Sequence, residues 1–335
     1  MTKVKATKFI VMKNRDIIVI AASIGGFATL KKLVAAWPSD LPASVFIVLH
    51  IDAQPSNLLQ LLQAECNLLV KQAEHQDDIQ QSVIYVAPAD RHLLIQKGKI
   101  ILSVAPKENS ARPAADALFR SAAIGYGSRV IGIVLTGDLD DGAAGLQLIH
   151  ACGGLAVVQE PAECSAPGMP RNAIRAVKTA VVAPIAILGW TVLQLVETPA
   201  TADFLNNEGV HSAATIEAHI ALTGASNPAA VRSIGRPSDL TCPDCGSVMW
   251  TIGASGPLRY RCSTGHAFSG ISLADAQCRQ SENALWSLVR GFQERVSLSN
   301  ELLATAESDQ TAELTARVQR LRAAQETVVD LLRNT

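Results

Sequence analysis

Asp16-Ile17-Ile18-Val19-Ile20-Ala21-Ala22-Ser23-Ile24-Gly25-Gly26 is the stretch that decides the fold. Residues 17–22 are apolar without a break and rich in β-branched side chains. So short a run, with no polar alternation, predicts a strand buried on both faces, as in a parallel sheet covered by helices on either side. The two glycines turn the chain sharply, and a helix is expected to follow to about Trp37, where Pro38 stops it. The same pattern recurs outward from this stretch. Residues 44–50, 129–136 and 155–159 read as further buried strands, and 114–123, 143–151 and 171–177 as helices. Strands alternating with helices predict an α/β fold, doubly wound around a mostly parallel sheet. Residues 83–86, 93–96 and 100–104, with Lys97-Gly98 as a turn, predict an antiparallel edge.

The chain has 335 residues, 48% of them apolar, and a formal net charge of -1. That balance speaks against a nucleic-acid or membrane-surface binder, and no apolar run reaches the roughly 20 residues of a membrane span. The N-terminus is basic but lacks the apolar core of a secretion signal. Seven cysteines, with a Cys-x-x-Cys pair among them, favour a reducing compartment and a metal over a disulfide framework, hence a cytoplasmic protein.

Ser23 stands where the buried strand turns into a helix. Such a turn lifts a hydroxyl above the sheet, lets substrate approach past small neighbours, and offers backbone N–H groups to an oxyanion. A Gly-rich turn of this kind also binds phosphate, or simply packs tightly. A serine needs a base. Of seven histidines, His50 ends an apolar strand at the carboxyl edge, where open α/β sheets place their sites. Asp138, Asp140 and Asp141 lie in the Leu135–Gly145 stretch, which follows a strand and opens a helix, so they reach the same edge. A third group must orient the imidazole, although three acids also suit a divalent cation or a helix cap.

Residues 16 to 195 resemble the catalytic domain of CheB-type chemotaxis methylesterases. The resemblance rests on Ala22-Ser23-Ile24-Gly25-Gly26, His50, Ala87-Pro88-Ala89-Asp90-Arg91-His92, Arg112-Pro113-Ala114-Ala115-Asp116-Ala117-Leu118-Phe119, Leu135-Thr136-Gly137 with Asp141-Gly142-Ala143-Ala144-Gly145, and Gly168-Met169-Pro170-Arg171. It implies a catalytic triad of Ser23, His50 and Asp141, with Ile24 and Asp138 as backbone oxyanion donors. It implies hydrolysis of glutamate γ-methyl esters on the cytoplasmic domains of methylated chemoreceptors, with no catalytic cofactor, and deamidation of receptor glutamines as a second activity. Arg112, Met169 and His92 are the substrate-binding candidates. Ala21 and Ile24 replace the Gly and Thr usual in the family, and Asp138 puts a carboxylate beside the oxyanion position. An esterase for another substrate on this fold, or a non-catalytic adaptor, are the rival readings. The family's phospho-receiver domain is not expected here, since only about 15 residues precede the first strand.

Cys242-Pro243-Asp244-Cys245 and Cys262-Ser263-Thr264-Gly265-His266 flank a predicted hairpin. Two turns with two soft ligands each build a zinc ribbon, and four protein ligands make the zinc structural. Cys278 falls outside this set. Beyond it, Leu285, Val289, Phe292, Val296 and Leu303, then Leu314, Val318, Leu321, Val328 and Leu332, recur at helical spacing. They predict a helical hairpin that packs within the chain, forms a homodimer or receives a signalling partner. The expected organisation is a tail over 1–15, a catalytic domain over 16–197, a linker over 198–240, the ribbon over 241–270 and helices over 271–335.

Overall fold

The computed structural model describes residues 14–50, 57–200, 208–224, 226–253 and 257–334. Most of the expected tail, and Ala254, Ser255 and Gly256 of the expected hairpin, lie outside the described residues. The first half of the chain runs β1 (Ile17–Ala22), α1 (Gly26–Ala35), β2 (Ser44–Leu49), α2 (Leu58–Gln63), β3 (Leu69–Gln72), β4 (Val83–Val86), β5 (His92–Gln96) and β6 (Lys99–Ser103). It continues through α3 (Ala115–Tyr126), β7 (Val130–Val134), α4 (Ala143–Ala151), β8 (Leu155–Gln159), α5 (Gly168–Ala176), β9 (Val181–Ala183) and α6 (Ile185–Val196).

Seven strands form one sheet in the order β3-β4-β2-β1-β7-β8-β9, every neighbouring pair parallel. Alternate residues of β1 explain why its apolar run is unbroken. Ile17, Val19 and Ala21 join one core with Phe119, Leu146 and Ala173 of α3, α4 and α5. Ile18, Ile20 and Ala22 join the other with Leu30, Leu33 and Leu188 of α1 and α6. Burying each large aliphatic side chain stabilises the fold by about 2 kcal/mol. The antiparallel pair β5-β6 is a separate two-stranded sheet rather than an edge of the large one, and β4 runs parallel inside the large sheet. The edges are β3 and β9, and the polar Lys71 and Gln72 obscure β3 in the sequence.

The described residues of the stretch read as a linker form regular elements. These are α7 (Glu208–Thr223) and α8 (Pro228–Ile234), and then β10 (Gly235–Thr241). β11 (Val248–Ile252), β12 (Arg259–Cys262) and β13 (Ala267–Ser269) complete an antiparallel sheet in the order β10-β11-β12-β13. β10 carries Pro237, which a sheet tolerates at an edge, and its register shifts between Pro237 and Thr241. α9 (Gly270–Thr305) and α10 (Ser308–Asn334) follow, with Val289, Val318 and Leu321 buried on them. No described helix is long and apolar enough to cross a membrane. The chain divides into two compact units, Met1–Leu273 and Ala274–Thr335, so the cysteine-bearing sheet belongs to the same unit as the parallel sheet.

A buried ion network joins these parts. Arg120 of α3 meets both oxygens of Glu108 at 2.6 and 2.7 Å. Arg261 of β12 reaches Glu108 at 2.9 Å and Glu217 of α7 at 3.2 Å, and Arg259 reaches Glu217 at 2.8 Å. Burial alone would raise the pKa of Glu217, but Arg259, Arg120 and Arg261 outweigh it and bring it down to about 2. Glu217→Gln takes the carboxylate from Arg259 and leaves Arg120 and Arg261 to share Glu108. Removing one partner of such a buried set costs about 3–5 kcal/mol. A urea midpoint reporting a loss below about 1 kcal/mol, with the m-value unchanged, would contradict this.

Candidate active site

The carboxyl ends of β1, β2 and β7 meet where the winding of the sheet reverses, the usual crevice of an open α/β fold. β1 pairs with β2 in a register that ends at Ala22↔Leu49, so the next residues, Ser23 and His50, stand side by side. The His50 N–H donates to Ala22 O at 2.9 Å, and the Ser23 N–H donates to Thr136 O at 2.9 Å. Gly25 caps α1 with φ 74°, and a Cβ there would sit 2.6 Å from Ser165 Oγ, so only glycine fits the turn. Gly137 is equally confined, because a Cβ would lie 2.8 Å from Ser23 Cβ. Among the described residues the Ser23 hydroxyl has no hydrogen-bond partner.

His50 Nε2 lies 3.1 Å from Asp141 Oδ2. The approach is off the N–H axis, so the two groups touch without an aligned hydrogen bond. Burial alone would lower the imidazole pKa; Asp141, helped by the Pro113 carbonyl and Asp116, outweighs it and holds it above 6.5. Asp141 is buried and accepts from four groups: Ala115 N at 2.6 Å, Asn109 Nδ2 at 2.8 Å, and Asp116 N and Gly142 N at 3.1 Å each. Two of these amides open α3, so the carboxylate sits at a helix N-terminus. Burial pushes its pKa up, but His50 and these donors bring it below the ordinary value.

Asp116 returns the arrangement to α4. Its Oδ1 accepts from Gly145 N at 2.7 Å, and its Oδ2 accepts from Asn109 Nδ2 at 2.9 Å. A Cβ at Gly145 would lie 2.5 Å from Phe119 Cβ, which accounts for the small residues after Asp141. Burial and the Asp141 charge raise Asp116 to about 8. The two adjacent carboxyls are thus shifted in opposite directions, Asp141 down and Asp116 up. Asp140 is also buried, accepts from Ser269 Oγ at 2.6 Å and is raised to about 6, first by burial.

The amides of Ile24 and Asp138 donate to no described residue, although their neighbours do: Gly26 N to Ser23 O and Gly137 N to Ala166 O, both at 2.8 Å. Thr136 Oγ1 donates to Ile24 O at 2.9 Å and joins the two loops. Leu139 has φ 61°, a left-handed conformation costing about 1 kcal/mol in a non-glycine residue, and its carbonyl accepts from Asn172 Nδ2 at 2.8 Å. The side chain of Asp138 is exposed.

The expected substrate-binding residues are engaged otherwise. His92 is fully buried: its Nε2 bonds Pro106 O at 3.0 Å, its Nδ1 accepts from Ala114 N at 3.2 Å, and burial lowers its pKa. Met169 is 1% exposed and packs beneath Gly137. Arg112 clamps Asp90 Oδ1 at 2.6 Å and the carbonyls of Val104 and Ala105 at 3.0 Å. All three are held by the protein's own groups. Asn109 and Gln159, whose Oε1 accepts from Thr136 N at 3.0 Å, belong to the site but read in the sequence as polar residues of loop and strand end.

The ligand atoms of Cys242, Cys245, Cys262 and His266 all lie within 4.8 Å of one another, a set that could hold a metal ion. The Cys245 and Cys262 sulfurs are 3.8 Å apart, and Cys262 Sγ is 3.6 Å from His266 Nδ1. A tetrahedral ion with metal–sulfur bonds of about 2.3 Å requires roughly 3.8 Å between sulfurs, so the donor set fits. His266 Nε2 faces Asp244 Oδ2 at 3.9 Å, and Cys278 is exposed.

The family profile described as CheB methylesterase matches residues 18–190. The crystal structure of the Thermotoga maritima CheB methylesterase catalytic domain superposes with a TM-score of 0.52 at 30% identity, covering 56% of this chain and 100% of that one. A Leptospira interrogans relative is 39% identical over 165 residues, 49% of this chain and 86% of that protein. The protein-glutamate methylesterase/protein-glutamine glutaminase 1 of Geobacter metallireducens is 38% identical over 187 residues, 53% of this chain and 51% of that protein. With a parallel sheet carrying a serine, a histidine and an aspartate at its carboxyl edge, and with these likenesses spanning that sheet, the chain belongs to the CheB methylesterase family.

Proposed function

We propose that this protein is a protein-glutamate methylesterase and protein-glutamine glutaminase acting on the methylated cytoplasmic domains of chemoreceptors. What carries the reading is one cluster at a single strand edge: a serine hydroxyl and two backbone amides without partners among the described residues, and a histidine facing a buried aspartate. Ser23 Oγ attacks the ester carbonyl. With His50 Nε2 turned to Asp141, Nδ1 is the nitrogen left to take the serine proton and pass it to methanol. The Ile24 and Asp138 amides receive the oxyanion. Water, deprotonated by the same imidazole, then frees the acyl-enzyme. The loose His50–Asp141 contact is typical of an empty site and tightens when charge develops on the ring. Substrate is expected to meet the loop edges around Ile24 and Asp138, with Met169 packed beneath Gly137 and His92 and Arg112 engaged by Pro106, Ala114, Asp90, Val104 and Ala105. Methanol release from methylated receptor cytoplasmic fragments tests the assignment, and absence of release in the presence of labelled, folded enzyme would refute it.

The same reading gives the Cys/His set a structural zinc. Four protein ligands leave no position open for substrate, and Asp244 supports His266 from outside the shell. Freshly purified protein should carry about one zinc per chain, and Cys262→Ser should carry almost none. Because ligand binding to such a site is folding free energy, the substituted protein should also melt earlier. Elemental analysis at trace zinc in the parent protein would rule this out.

A further inference from the structure

The cysteine-bearing sheet meets the catalytic loops at one narrow seam. Ala267 of β13 donates its N–H to Lys107 O at 3.2 Å, and its carbonyl accepts from Asn109 N at 2.8 Å. The next residues close on the Asn109 side chain: Ser269 N and Ser272 Oγ both donate to Asn109 Oδ1 at 2.8 Å. Ser269 Oγ and Ser272 Oγ lie 3.0 Å apart, and both serines are buried. An amide whose oxygen is held by two donors has only one orientation available. Its Nδ2 must then point the other way, and there it donates to Asp141 Oδ1 at 2.8 Å and to Asp116 Oδ2 at 2.9 Å. A flipped amide would set its oxygen against those carboxyl oxygens and its NH2 against the donors at Ser269 and Ser272. The polarity at Asp141 is therefore fixed from outside the parallel sheet.

We propose that Asn109 is a positioning residue for Asp141, and that Ser269 and Ser272 set its orientation, making the cysteine-bearing module a working part of the esterase site. The proposal rests on the triad reading above and extends it to residues beyond the family-matched segment 18–190. Asp140, bonded to Ser269 Oγ at 2.6 Å, ties the residue before Asp141 to the same seam.

The test is a double-mutant cycle in the full-length, metal-loaded protein, reading kcat and KM for methanol release together with the rate of fluorophosphonate labelling. Asn109→Ala should lower kcat about a hundredfold and slow labelling, as misplacement of a catalytic group does, with KM within about twofold. Ser272→Ala should lower kcat about tenfold. Because the serine acts through the amide, the double variant should be no slower than Asn109→Ala alone. Independent, multiplying losses, or an undiminished kcat in Asn109→Ala, would overturn the proposal. If Asn109→Ala does not fold, Ser272→Ala decides by itself: a labelling rate equal to the parent's overturns it. Failure of the triad reading looks different, since the parent protein would then release no methanol or would be indifferent to Ser23→Ala.

Discussion

Ser23→Ala should reduce methanol release from methylated receptor fragments by about 10⁴-fold or more, and should abolish labelling by a fluorophosphonate. The size follows from chemistry rather than from packing. The substitution removes one oxygen that has no partner among the described residues, so nothing else is lost with it. Its stability should stay within about 0.5 kcal/mol of the parent, and KM should hardly change. The His50–Asp141 contact and the amides of Ile24 and Asp138, which donate to no described residue, remain. What activity survives is that of a preorganised oxyanion site without a nucleophile. Release within tenfold of the parent would show that another group attacks the ester.

Asp141→Asn should lower kcat by about 10⁴-fold, the loss expected when the carboxylate orienting a catalytic imidazole is replaced by an amide. Here the geometry adds a second consequence. Asp141 is surrounded by donors from Asn109, Ala115, Asp116 and Gly142. An amide NH2 in its place opposes at least one of them, so stability should also fall by about 1–3 kcal/mol. The pH dependence separates the catalytic effect from that loss. His50 accepts a proton only when neutral, so kcat/KM in the parent rises with pH through the imidazole's pKa. Asp141 lifts that value above 6.5 against the opposing effect of burial. Without the carboxylate charge, burial dominates and the acid limb moves to lower pH. A limb that stays in place, measured from pH 5 to 9, would mean that Asp141 does not set the imidazole's charge.

Much of the catalytic half was legible because its signals are local. An unbroken β-branched run such as residues 17–22 can be buried on both faces in only one kind of sheet. A serine, a histidine and an aspartate that each follow such a run must arrive at the same edge of that sheet. α4 and β8 begin and end where their residues were expected to, because glycines and caps delimit them. β3 was invisible, since Lys71 and Gln72 break the apolar pattern at an edge where charge is tolerated. β10 reads as linker because Thr, Ala, Asn, Ser and Pro dominate its stretch of sequence, and only pairing with β11 makes it a strand. His92 looked available in the sequence because a histidine in a polar loop usually is; in the folded chain both of its nitrogens are taken by Pro106 and Ala114.

The order of strands and helices, the placing of Ser23, His50 and Asp141 at strand ends, and the grouping of three cysteines with His266 were determined by the sequence alone, because periodicity, turn chemistry and ligand spacing act over a few residues. Only the tertiary structure decided that Asn109 meets Ser269, 160 residues away, and that Arg261 meets Glu108, 153 residues away. Contacts of that kind depend on which surfaces come to face each other once the cores have formed. A buried amide or guanidinium declares its partner only when water has been removed from around it.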